Sequence, residues 1–263
     1  MRLYSYKMTH DSGFAPNPFG ECLTLATCKP YIRKNKNVKS REENKDKVKD
    51  EDKFGTWIAG FSSATLNGDA VGHERLVYLM EVSEKLPIGD YYKDARFQNK
   101  IPDISAKSAI ERAGDNIYEL LPSGDPKDYT HYRQVKNPSH WDIKQDKPHM
   151  GCQKEDISGE NVLIAKTFYY FGREPLVIPD DIRPSVPKGS SVYGNLTEDD
   201  RIEKLISFIE EKYKKGLIHL PHTFDADEKI CSSCAPKPTK KAPKTTCAPP
   251  NQNPARRAAT QSH

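Results

Sequence analysis

The 263-residue chain lacks several features that would each have fixed a function class. No run approaches the ~18 apolar residues that a membrane-crossing helix needs, and the N-terminus has no signal-peptide apolar core. The expected location is therefore the cytoplasm, with no membrane partner. No glycine-rich phosphate loop, strand–helix–strand alternation or internal repeat is present, so nothing points to a doubly wound nucleotide-binding fold or a solenoid. Hydrophobic residues reach only 35% of the chain. A sizeable part of it is thus expected outside any core. Acidic residues are absent from 235–263, where six prolines and six Lys/Arg stand, a composition that predicts a disordered basic tail.

Without that tail the formal charge of +4 becomes −2, with 35 Lys/Arg against 37 Asp/Glu in residues 1–234. The body is not a basic protein, and any phosphate-binding surface must come from local clustering. Residues 34–53 carry eight Lys/Arg, six Asp/Glu and no aromatic, which predicts a disordered, solvated insertion. The remainder of 1–234 reads as one domain. With no disulfide-permissive context, the six cysteines are expected as reduced thiols.

Alternating or apolar runs predict strands at 2–8, 22–28, 56–61, 76–82, 161–165 and 167–172. Helical spacing marks 88–100, while 122–160 reads as an irregular excursion. A last helix should begin near Asn195 or Thr197 and place Ile202, Leu205, Ile206, Phe208 and Ile209 on one face. Strands outnumber helices. The expectation is an α+β domain built on a small, strongly bent mixed sheet or partly open barrel with flanking helices.

The segment from Tyr4 to Arg33 concentrates the unusual chemistry. Prolines and glycines shape a loop that carries His10, Asp11, Ser12 and Asn17 with the flat rings of Phe14 and Phe19, a combination suited to a planar polar ligand. An ordinary strand-to-strand loop with local turn bonds is the competing interpretation. His10-Asp11-Ser12 cannot form a catalytic relay, because adjacent residues on an extended chain point in alternating directions. Cys28 as nucleophile with His10 as base is the better catalytic candidate, against a buried, inert thiol. Cys231 and Cys234, with His219 and His222 upstream, have spacings that a structural zinc could use, although they lie at a chain exit and the expectation is no metal and no cofactor.

The segments YSYKMTHDSGFAPNPFGECLTLATCKPYIRK, GTWIAGFSS, RLVYLMEVSEKL, DYYKDARFQNKIP, GDNIYEL and NVLIAKTFYYFG, in this order, resemble the nucleotide modification associated domain family, second type. More distantly, the order of elements is similar to the PUA-like pseudobarrels that include EVE, YTH and ASCH domains. The resemblance implies a protein that binds modified bases in DNA within a bacterial or phage modification or defence system, or else an enzyme altering a base or nucleotide, or an adaptor for modification enzymes. It also implies a pocket in which Phe14, Trp57 and one of Tyr169 or Tyr170 stack a base while His10, Asp11, Ser12 and Asn17 read its edge. Lys29, Arg33, Arg96 and Lys100 would then hold phosphates. Trp57 as a core residue, and Arg96 with Lys100 as a solvated face beside Asp94 or Asp90, are the bland alternatives.

Overall fold

The computed structural model describes residues 1–47, 54–189 and 193–224. Along the chain run β1 (Leu3–Lys7), β2 (Leu23–Leu25), α1 (Pro30–Arg33), α2 (Arg41–Asn44), β3 (Trp57–Phe61), α3 (Ala64–Asn67), β4 (Leu76–Glu81) and β5 (Glu84–Pro87). Then follow α4 (Ile88–Tyr91), α5 (Ala109–Arg112), β6 (Tyr118–Leu120), β7 (Tyr132–Gln134), β8 (Trp141–Asp142), β9 (Lys147–Pro148) and α6 (Met150–Ile157). The last elements are β10 (Asn161–Ala165), β11 (Thr167–Tyr170), β12 (Asn195–Thr197), α7 (Arg201–Glu210) and β13 (Gly216–Leu217).

Two sheets carry the fold. A six-stranded mixed sheet has the order β12-β1-β3-β4-β11-β13, and a three-stranded antiparallel sheet the order β2-β10-β5. They are joined by one bent ladder, since β4 leads into β5 and β10 into β11. Glu81 pairs with Thr167 on one side of the bend and Glu84 with Ile164 on the other. At the corner Ser83 supplies both groups: its N–H donates to Ile164 O, and its hydroxyl accepts from Lys166 N. The fold is α+β with a strongly bent mixed sheet, and among the described residues no barrel closes.

Period-two alternation assigns each strand residue to a layer. Leu3, Trp57, Ala59, Phe61, Leu79 and Tyr169 face α7, whose Ile202, Leu205 and Ile209 cover them. Tyr4, Tyr6, Ile58, Tyr78, Met80 and Tyr170 face inward with Leu23 and Leu163 of the smaller sheet. A third cluster lies on the smaller sheet's other face, where Phe14, Tyr91, Phe97, Ile117, Tyr118, Val162 and Ile164 meet.

Three expectations change. Residues 34–47 are built into the fold: Val38 and Ser40 are buried, Ser40 and Glu43 close a capping box on α2, and Arg41 makes a bidentate pair with Glu81. Only 48–53 of that segment, with the tail, lie outside the described residues. The helix expected over 88–100 is broken into α4 and a 3-10 turn at Ala95–Lys100. Asn195 and Thr197 pair with β1 in β12, and Asp200 begins α7 without a side-chain cap. No helix among the described residues is long and apolar enough to cross a membrane.

Candidate active site

After β2 the chain turns through two consecutive non-glycine residues in the left-handed region, Cys28 at φ 55° and Lys29 at φ 44°. Each such residue costs roughly 1–3 kcal/mol and persists only where the surroundings enforce it. Pro30, whose ring presets a helical φ, then opens α1. The enforcing partners come from α6 and from α1 itself. Asp156, fully buried, accepts the Cys28 N–H on Oδ1 at 2.6 Å. Arg33, 0% exposed, donates Nε to Cys28 O at 2.7 Å, Nη1 to Asn161 O at 2.8 Å and Nη2 to Asp156 O at 2.5 Å.

The other oxygen of Asp156 reaches a histidine. His140 Nδ1 donates to Asp156 Oδ2 at 2.7 Å, and His140 Nε2 stands 3.7 Å from Cys28 Sγ. Burial disfavours the imidazolium, but the Asp156 and Cys28 contacts outweigh it and raise His140 to about 11. Tyr118 donates its hydroxyl to the same Asp156 oxygen at 2.8 Å, and burial with the carboxylate beside it raises this phenol, so it stays a donor. The His140 backbone is held by Asn137 Oδ1 and by Gln134 Nε2, and the Phe14 ring meets the imidazole edge to face at 4.9 Å. The side chain keeps 15% of its surface exposed.

Thiol, imidazole and carboxylate thus form a chain of the nucleophile–base–orienter type, drawn from a turn, a loop and a helix. Sequence reasoning paired Cys28 with His10. His10 is exposed, and His140 takes the place beside the thiol. Neither His140 nor Asp156 carries a usable local signal, since both lie in 122–160, where no strand or helix periodicity stands out.

The expected stacking residues do not converge. Trp57 and Tyr169 face α7, Tyr170 points inward and Phe14 belongs to the third cluster, and all four are buried. The alternation of neighbouring strand residues makes the separation of Tyr169 from Tyr170 unavoidable. Asp11 is buried and accepts from Tyr170 OH and from His222 Nδ1 at 2.8 Å, while Ser12 is half-buried. Arg33 cannot meet a phosphate, because its guanidinium is spent on three carbonyls. Lys29 stands over the Tyr6 ring at 4.5 Å.

A separate cleft of about 750 Å³ does gather Asn17, Arg96 and Lys100, with Phe19, Asn99 and Lys166. There Lys100, itself buried, donates to Asn17 O and Oδ1, and Arg96 is clamped by Glu84 and Asp94. Behind it burial raises the Asp115 carboxyl to about 6, against Lys100, Thr24 and Tyr91. The zinc candidates separate too: His219 lies 3.3 Å from Glu174 and His222 is bound to Asp11, while Cys231 and Cys234 lie outside the described residues. Among the described residues no group of three or more His, Cys, Asp or Glu could hold a metal ion.

No curated protein and no solved structure matches the chain. A family model described as nucleotide modification associated domain 2 matches residues 1–41 and 44–228. The two matched stretches meet inside the charged segment, with residues 42 and 43 left between them. The match contains every member of the Cys28, His140, Asp156, Tyr118 and Arg33 cluster, and the chain belongs to the nucleotide modification associated domain 2 family.

Proposed function

We propose that the protein is a cysteine-nucleophile enzyme that acts on a nucleotide, or on a substituent carried by a modified base, in a DNA modification or defence system. The observation that carries this reading is the Cys28–His140–Asp156 relay, at 3.7 Å and 2.7 Å. His140, held as the imidazolium, already carries the proton on Nε2 beside the sulfur, which attacks an electrophilic carbon and forms an S–C bond. Asp156 holds the imidazolium, which then protonates the leaving group as that bond breaks. Water, giving its proton to His140, releases the product and restores the sulfur beside the imidazolium. The raised basicity of His140 favours its holding the proton between these steps. Partners consistent with the reading are modified DNA and the enzymes that install the modification.

A reader of modified bases in DNA, using the same site without turnover, is the second reading. The aromatic feature that bears on it is the Phe14 ring against His140, which is itself buried and braces the imidazole instead of presenting an open face. Mass spectrometry of nucleosides after incubation with modified DNA separates the two, since a reader leaves its ligand unchanged.

The thiol is tested directly by iodoacetamide alkylation near neutral pH, followed by peptide mass spectrometry. Cys28 is expected to react about tenfold faster than Cys22 or Cys152, whose thiols burial pushes up, and His140→Gln should remove the advantage. Equal rates at all three cysteines would overturn the enzyme reading.

A further inference from the structure

Helix α1 begins two residues after the nucleophilic thiol and carries Tyr31 on its outer face, 38% exposed. Tyr193, 61% exposed, reaches it from the turn before β12, and the two ring centroids are 4.8 Å apart at 58°. That segment is seated on the body: a Cβ added to Gly194, at φ 72°, would lie 2.7 Å from Ser5 O and 3.5 Å from Ile32 Cδ1. Among the described residues these are the two large aromatic side chains that are exposed, and they lie against each other. An exposed aromatic pair gains nothing from the hydrophobic core and leaves flat faces open to solvent.

The charge around the pair has one sign on α1. Residues 29–36, KPYIRKNK, hold four cations and no acid, and of the four only Arg33 is fully buried. Lys34 Nζ stands 4.8 Å from the Tyr31 ring. Glu155 of α6 acts on Lys29, and Asp156 faces the buried Arg33 guanidinium. Flat rings beside lysines suit a ligand that alternates π-faces with phosphates.

We infer that Tyr31 and Tyr193 form a stacking platform for single-stranded nucleic acid, which leads an unpaired base toward Cys28. Bases inside a duplex have their faces occupied, so the platform selects the unpaired strand. The inference rests on the thiol-enzyme reading for what happens after docking, but not for the docking itself.

The test is fluorescence anisotropy on the full chain at about 0.15 M salt, with labelled oligothymidylate, an abasic oligomer of equal length and the matching duplex. Wild type is expected to bind oligothymidylate about tenfold or more tightly than the abasic strand or the duplex. The Tyr31→Ala, Tyr193→Ala pair should lose that preference while keeping the charge-driven affinity, and Tyr31→Phe with Tyr193→Phe should retain it. Circular dichroism verifies folding. Equal affinity of wild type for oligothymidylate and abasic strand, or a preference that survives the double alanine variant, overturns the platform. Cys28→Ser should bind as wild type does, so loss of alkylation selectivity and loss of stacking are separate failures.

Discussion

Gly159 packs so closely on the buried Arg33 guanidinium that an added Cβ would lie 2.4 Å from Cζ and 2.5–2.6 Å from both terminal nitrogens. The guanidinium is the end of a flexible side chain, but three hydrogen bonds and complete burial leave it nowhere to move. Gly159→Ala is therefore expected to destabilise by about 3 kcal/mol, the scale of disrupting a buried charge with its partners. It should also slow Cys28 alkylation, because Arg33 and Asp156 together hold the strained Cys28 turn. Urea unfolding and the alkylation rate measure the two effects. In the sequence, Arg33 stands in a basic run and reads as a phosphate hand. Its true partners, Asp156 and Asn161, lie 123 and 128 residues away, and nothing local announces them.

The strands were legible because burial on a pleated sheet leaves an apolar signature, and β3 and β4 are buried along their full length. Gly60 in β3 has a different cause: a Cβ there would meet Tyr78 Cε1 at 2.3 Å and Met8 Sδ at 2.6 Å. Gly60→Ala should cost about 2 kcal/mol as overpacking, seen as a lower urea midpoint with an unchanged slope. Helix α6 was missed for an equally physical reason. Its eight residues, MGCQKEDI, bury Gln153, Asp156 and Ile157, two of them polar, so no apolar stripe marks the face turned inward. The capping box at Ser40 and Glu43 was the reverse case, a recognisable Ser-x-x-Glu signal masked by the charge of its surroundings.

For the whole molecule, His140 links stability to pH. Its value is about 11 in the folded protein against an ordinary 6.5, so the folded state keeps a proton that the unfolded chain releases between those values. The stabilisation is fully present below 6.5, shrinks as pH rises, and is gone once pH passes about 11. The stability gap between wild type and His140→Gln should accordingly be wider near pH 6 than near pH 10. A gap independent of pH would exclude this ion-paired state of His140.

Sequence alone determined the α+β class, the principal strands and the helix that covers one face, because local propensity and period-two or helical patterning are written in neighbouring residues. It also singled out Cys28. Tertiary structure alone decided that His140 is its partner, that Asp156 orients that histidine, and that Phe14, Trp57, Tyr169 and Tyr170 part into three layers. Those outcomes depend on a turn after β2, a loop before β8 and a helix beyond β9 meeting in space. A hydrogen-bonded constellation assembled across more than a hundred residues has no periodicity for a sequence to display.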